Sequence, residues 1–329
     1  MAYRKSKGKA RRSKKIEPSA LTILLPTPSV ASGVTSKFYF DLSQIASILS
    51  RRFYRQGINW AVSRIKILSG VSGQCSIGKI PTTWVTSNSW EKAMSVWRKQ
   101  QEEALEEGGS ESMKAAFNDF KVFADTDHVI AGFAANLLPT DFSGNVAATG
   151  TWEPSKIVLP NVNADASGST VDPAQRFLHM CGVNVFGASS RGIVEGYADS
   201  RAYPQSPDPV GADVGDADNW MARMFDVGND MEEVLDNATL RNDTLPYPQA
   251  NYPGGQLQLP GLELHDFAQI YETSATTNVG ISSMKGGMFP CGLGCVSWTP
   301  QSNAGNVVVQ IDLVPGHHKG YLCEPMQDM

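Results

Sequence analysis

Apolar side chains recur along this chain in short alternating runs broken by Gly, Pro, Asn and Ser, a pattern that predicts strands more often than helices. Leu21–Leu25 opens the patterned region, and Thr35–Phe40 alternates like a strand. Asp41 then offers a helix cap, and Leu42, Ile45, Ile48, Leu49 and Phe53 fall at helical spacing, which predicts a helix over 42–56 ended by Gly57. Ile58–Leu68 reads as a strand whose alternation slips phase near Ser63–Arg64, as a bulge would make it. The clearest helix spans 89–107. Asn88 and Glu91 fit a capping box, Trp90, Met94, Trp97 and Leu105 share one stripe, and Gly108-Gly109 stops it. Its acidic end (Glu102, Glu103, Glu106, Glu107) opposes the helix dipole and is expected to be solvated or frayed.

Further strand-like runs follow at Ser155–Leu159, Arg176–Phe186, Ile193–Ala198, Gln256–Leu259, Phe267–Tyr271, Gly294–Trp298 and Asn306–Val314. A third helix is expected over 218–235 from Trp220, Met221, Met224, Phe225, Met231, Val234 and Leu235. Many short strands separated by turn residues favour a sandwich or barrel over alternating βα units. The expected class is therefore all-β with helical insertions, one body over 18–329. Residues 1–17 stand apart as a charged segment without periodicity, expected to be a disordered arm.

Charge sharpens that division. Arg4, Lys5, Lys7, Lys9, Arg11, Arg12, Lys14 and Lys15 are eight of the 28 Lys and Arg, and no acid lies among them. The rest of the chain keeps 20 basic residues against 33 acids, so the net charge of −5 averages a +8 arm and a −13 body. Such an arm suits phosphates, and its clusters would also serve as a nuclear import signal. Tyr3 alone offers base stacking, so no sequence readout is expected. Arg51, Arg52 and Arg55 at the end of the first expected helix are secondary candidates for nucleic-acid contact; the plainer alternative is that they complement the helix dipole. The charged fraction is only 19 %, below the usual level of about 25 %. Either the core is large, or much of the surface is covered by other copies.

Other chemistry is sparse. The span 195–243 carries twelve acids and three Arg, but Asp213-x-x-Asp216-x-Asp218 lacks calcium-loop spacing and reads better as a solvated outer loop. Cys291-x3-Cys295 with His317-His318 is a loose zinc pattern, and Gly292 and Gly294 suggest a tight backbone passage instead. Five scattered Cys read as reduced thiols of an intracellular protein. Nucleotide-binding, metalloprotease and serine-hydrolase signatures are absent, so a non-enzymatic role without cofactor or metal is expected. No apolar run approaches the roughly 18–20 residues of a membrane span, and Pro26 and Pro28 interrupt the apolar start that would otherwise suggest a signal peptide.

A basic arm followed by a charge-poor, β-rich body resembles the capsid proteins of circular single-stranded DNA viruses that encode a replication initiator (CRESS-DNA viruses). The residues carrying the resemblance are Met1-Ala-Tyr-Arg-Lys-Ser-Lys7, the run 57–67 (GINWAVSRIKI), the run 80–90 (IPTTWVTSNSW), the run 200–209 (SRAYPQSPDP) and the strand ending at Pro315-Gly316. The resemblance implies an eight-stranded viral jelly roll with helical insertions and an icosahedral shell of roughly 60 copies or more around a single-stranded DNA genome. It also implies location in the virion, with passage through the host nucleus during assembly. Two other readings remain open at this point: a cellular nucleic-acid-binding protein with a basic tail, and a β-sandwich that binds glycans or is an enzyme.

Overall fold

Strand alternation places the core. In the computed structural model, which describes residues 19–109, 119–159, 174–200, 261–271 and 279–329, β1 (Thr22–Pro26), β2 (Ser36–Asp41), β3 (Ile58–Ser69) and β4 (Gly73–Lys79) come first. After a long insertion, β9 (Glu263–Ile270), β10 (Gly280–Phe289), β11 (Leu293–Pro300) and β12 (Val307–Leu313) complete two antiparallel sheets. One has the order β1-β12-β3-β10, the other β2-β11-β4-β9. Every second residue of β12 (Val307, Val309, Ile311, Leu313) is buried, and these meet Ile23 and Leu25 of β1, Ile65 and Ile67 of β3, and Phe40, Ile77, Val296 and Trp298 of the facing sheet. Two sheets with apolar inner faces form a β-sandwich. The arm (1–17), the helix expected over 218–235 and the strand expected at 256–259 lie outside the described residues.

The phase slip near Ser63 is a bulge. Between Asp312 and Leu313 the partner on β3 jumps from Arg64 to Val62, leaving Ser63 extra, and the Ser63 hydroxyl donates to the Asp312 carbonyl (2.9 Å). β3 therefore keeps Ile65 and Ile67 on the same inner face as Trp60 and Val62.

The insertion folds over the outer face of the second sheet. It contains α2 (Trp84–Glu107), α3 (Thr126–Ala131) and a small sheet in the order β5-β6-β8-β7, from β5 (Lys156–Leu159), β6 (Ala174–His179), β7 (Val185–Phe186) and β8 (Ser190–Gly192), followed by α4 (Ile193–Ser200). Tyr39 of β2 and Leu293 and Cys295 of β11 turn away from the sandwich interior into a second core with Trp90, Phe120, Val122, Met180 and Ile193. β2 and β11 are thus buried on both faces. At Gly294 a Cβ would stand 2.2 Å from the Phe40 ring, so the Gly in this Cys-rich run serves close packing of strand on ring.

Several sequence expectations need correction. The first helix, α1, covers Leu42–Ser50 and not 42–56. Arg51 adopts a left-handed φ of 50°, and the Ser47 hydroxyl accepts from the Tyr54 N–H (3.0 Å) while donating to the Ser43 carbonyl (2.6 Å). This turn drives Tyr54 into the core against Trp60 and Tyr321 (ring centroids 5.6 and 5.4 Å away), a burial that a continued helix would forgo. The second helix begins at Trp84, capped by Thr83 and not Asn88, because Pro81 ends β-structure early and the Thr83 side chain accepts from the Thr86 N–H (3.3 Å). Its acidic end is largely solvent-exposed and partly paired, Arg98 with Glu102 and Lys99 with Glu103. Residues 193–198 form α4 and not a strand: Ile193, Val194 and Tyr197 share a face on the second core, and the Glu195 carboxylate accepts from the Asn184 N–H. Arg176–Phe186 divides into β6 and β7 around a turn at Gly182, where φ is 110°.

One buried carboxylate joins these layers. Asp41 caps α1 by accepting from the Ser43 (2.8 Å) and Gln44 (3.4 Å) N–H groups through Oδ1, while its Oδ2 accepts from Gln56 Nε2 and Trp152 Nε1, both at 3.1 Å. Gln56 also donates to the Val122 carbonyl (3.0 Å) and accepts from the Val122 N–H (2.6 Å). Complete burial pushes the Asp41 carboxyl up, the Gln56 and backbone hydrogen bonds pull it back, and it comes to rest at about 6. Asp41→Asn would set an amide N–H against existing donors. We expect it to cost about 2–4 kcal/mol in urea unfolding; a variant as stable as wild type would remove Asp41 from this role.

Two buried histidines are held neutral. His128 Nδ1 accepts from the Ala124 N–H (3.1 Å) and Nε2–H donates to Asn136 Oδ1 (2.8 Å). His179 accepts from the Ser190 hydroxyl (2.9 Å) and donates to the Val183 carbonyl (3.0 Å). Burial lowers both from 6.5 to about 4, so between those values the unfolded chain binds protons that the folded chain refuses, and stability falls as pH falls. Asp41 acts in the opposite sense below about 6 but with a shift of only one group. From pH 7 to 5 the net loss should be on the order of 2–3 kcal/mol, read as a lower urea midpoint. A midpoint unchanged or raised at pH 5 would contradict it.

Candidate nucleic-acid interface

The eight arm cations lie outside the described residues, but the point where the arm joins the body does not. After β12 the chain makes a small hairpin of β13 (Pro315–Gly316) and β14 (Gly320–Tyr321), and then β15 (Cys323–Pro325) pairs with the first residues of β3. The Ser19 hydroxyl donates to the Gly320 carbonyl (3.2 Å), and the Tyr321 hydroxyl donates to the Ala20 carbonyl (2.9 Å). Because that proton is committed, the Ser50 hydroxyl is the donor in its 2.9 Å contact with Tyr321 Oη. Tyr321 therefore ties the base of the arm to the C-terminal end of α1.

That end carries the secondary candidates. Arg51 and Arg55 are exposed and Arg52 is half-buried, all in the loop after α1 and none within the helix. Burial raises the Tyr321 hydroxyl above its ordinary value, while its bonds to Ser50 and Ala20 and the neighbouring Arg52 charge pull it down, which puts Arg52 beside the tether. The Tyr54 hydroxyl donates to the Lys319 carbonyl (2.8 Å), the Lys319 ammonium donates to the Phe53 carbonyl (2.8 Å), and it lies 5.4 Å from the Tyr54 ring centroid. Arg52 and Lys319 thus lie close to the root of the arm, Arg51 and Arg55 sit on the same loop as Arg52, and Tyr54, Trp60 and Tyr321 form an aromatic cluster beside them.

Lys319 was not picked out by the sequence reading. The signal available was the turn His317-His318-Lys319-Gly320, noted only for its histidines. Those histidines do not meet the cysteines: Cys291 and Cys295 are buried in the second core, with burial pushing the Cys295 thiol up to about 12. Among the described residues no group of three or more His, Cys, Asp or Glu side chains is placed to hold a metal. No helix among them is long and apolar enough to cross a membrane. Of the acids in the span 195–243, only Glu195 has a described side chain, and it is used within the insertion.

No protein-family model, curated protein or solved structure matches the chain.

Tyr321→Phe keeps the ring among Tyr54 and Trp60 but removes both hydroxyl contacts. We expect about 1–2 kcal/mol of destabilisation and faster protease cleavage near residues 19–20. Cleavage at the wild-type rate would mean that the hydroxyl does not hold the arm.

Proposed function

We propose that this chain is a viral capsid protein of the kind made by circular single-stranded DNA viruses, self-assembling into an icosahedral shell around single-stranded DNA that its basic arm gathers. The observation that carries the reading is the strand order. Numbered one to eight in chain order, the long strands lie 1-8-3-6 in one sheet and 2-7-4-5 in the other. That is the order produced when an antiparallel ribbon pairing 1 with 8, 2 with 7, 3 with 6 and 4 with 5 is rolled into a sandwich: a jelly roll of two Greek keys, the architecture of many viral shells.

Jelly rolls also serve lectins and cupins, so fold analogy alone would not choose among them. The choice rests on the +8 arm, whose root is tied beside Arg52 and Lys319 in a chain whose remaining charge is acidic. Exposed apolar side chains give a second line of support. Leu264 and Phe267 of β9, Tyr271 just after it and Ile281 of β10 lie on or beside two of the edge strands, where a neighbouring copy would cover them. The arm would face inward onto phosphate, and the acidic 195–243 region would face outward or line contacts. In a host cell such a protein would use its arm clusters for nuclear import before assembly.

The purified full chain should form closed particles in negative-stain images, with nuclease-protected nucleic acid inside. Removing residues 1–15 should keep the particles and empty them. Where the free subunit binds single strands, the log–log salt slope should reach about −5 to −6 if all eight arm charges engage, and approach zero without them. A chain that stays monomeric at high concentration across salt conditions would overturn the capsid reading, and salt-dependent binding by that monomer would point to a cellular nucleic-acid-binding protein.

A further inference from the structure

The two edges of the sandwich present different surfaces. Segment 137–147 closes the edge formed by β1 and β2: the Leu137 N–H donates to the Tyr39 carbonyl (2.7 Å) and the Thr140 N–H to the Leu24 carbonyl (3.2 Å). The segment then turns back as a short hairpin. Thr140 pairs with Val146, the Ala147 N–H donates to the Pro139 carbonyl (2.9 Å), and the Asp141 carboxylate accepts from the Asn145 N–H (2.8 Å). Gly144 takes a left-handed φ of 82° to complete the turn. These bonds fix the backbone of the tip, where Phe142 is fully exposed, the most exposed large apolar side chain among the described residues. The opposite edge is formed by β9 and β10. His265 Nε2–H donates to the Lys285 carbonyl (2.9 Å), and the Asp266 carboxylate accepts from the Lys285 N–H (2.8 Å). At both edges some backbone groups are therefore already taken, which disfavours growth by strand addition and leaves side chains as the means of contact. The register of β9 with β4 skips His265, placing Asp266 opposite Ile77 and Leu264 opposite Gly78. This bulge turns Leu264 and Phe267 to the same outer face, opposite Gly78 and Ser76. Both apolar side chains are exposed, and they border a low strip of sheet because their neighbours on β4 are small.

We infer that the Phe142 hairpin of one copy seats its ring on the strip beside Leu264 and Phe267 of the next copy, a head-to-tail contact between opposite edges of the sandwich. Three observations select a second copy of this chain as the occupant. The ring stands at the edge of β1 and β2 and the strip at the edge of β9 and β10, so a chain cannot fill its own strip. A lone exposed phenyl on a fixed hairpin needs an apolar seat with room for it, and the strip offers two apolar side chains beside Gly78 and Ser76. The charged fraction of 19 % is low for a surface that stays in water. Contacts between different patches of identical subunits close into rings where the rotation permits, and rings of subunits are what a closed shell is built from. The inference rests on the capsid reading and names one of its subunit contacts.

The test uses two full-length variants, Phe142→Asp and Leu264→Lys, each at an exposed position and each checked for a wild-type urea midpoint. Should Leu264→Lys fold poorly, Phe267→Ser probes the same strip. Either variant alone should raise the protein concentration needed for particles about thirtyfold, as loss of a central apolar anchor does. Mixed in equal amounts below that concentration, the intact strip of one and the intact Phe142 of the other restore a junction. Native mass spectrometry should then show complexes containing both variants that neither forms alone. Particles from a folded Phe142→Asp chain at the wild-type concentration, or no mixed complexes, would overturn the contact and leave the capsid reading intact. A wild-type chain that stays monomeric at every concentration would overturn both.

Discussion

A single carboxylate, Asp41, decides how the helical insertion sits on the sandwich. It lies at the seam where β2 ends and α1 begins, and it receives hydrogen bonds from the α1 N-terminus, from Gln56 just before β3 and from Trp152 of the insertion. A buried charge with two donors on each oxygen is tolerable only if all of them arrive together, so the capping turn, the loop after α1 and the insertion must settle cooperatively. Gln56 extends the same network to the backbone of Val122, which anchors the strip leading to Phe120. The placement of Arg51, Arg52 and Arg55 depends on this seam, since they lie on the loop whose two ends it holds.

Much of the sandwich was legible because alternation and burial coincide. β1, β2, β3, β11 and β12 each carry apolar residues at every second position, and even the bulge at Ser63 shows as a phase slip. β4 and β10 were missed because Gly73-Gln-Cys-Ser-Ile-Gly-Lys79 and Gly280-Ile-Ser-Ser-Met-Lys-Gly-Gly-Met-Phe289 put small or flexible residues where Val or Ile would normally mark a strand. Their pairing comes from neighbours already in place: β4 from β11 and β9, β10 from β3. Ile193–Ala198 failed the other way, since an apolar run of that length fits strand and helix equally, and only the surface of α2 and the second core selects the helix.

The basic arm needed no structure to be noticed, because its eight cations all fall between Arg4 and Lys15. The surroundings of its root were half legible. Arg51, Arg52 and Arg55 stood out as a cluster, but their removal from the helix depends on Tyr54 reaching the core. Lys319 and Tyr321 join the site through contacts nearly 300 residues apart in sequence, and no local pattern announces such a meeting. Trp90 was seen as part of a helix stripe, which it is. That its indole nitrogen finds no hydrogen-bond partner among the described residues is a property of the surrounding packing.

The pairing of β1 with β12 carries one more consequence. Thr22 meets Asp312, so the first strand of the sandwich waits for the last before it has a partner on that side. Closure at such sequence separation is slow, and it leaves the inner faces open until β12 has been made. The tether of Ala20 to Tyr321 is formed a few residues later still. Until that segment docks, Ser19 and Ala20 lack these partners; once it docks, they take a set position relative to the sheets. Completion of the fold is thereby coupled to fixing the point from which the arm departs, and a chain truncated or stalled before residue 321 would leave that point untied.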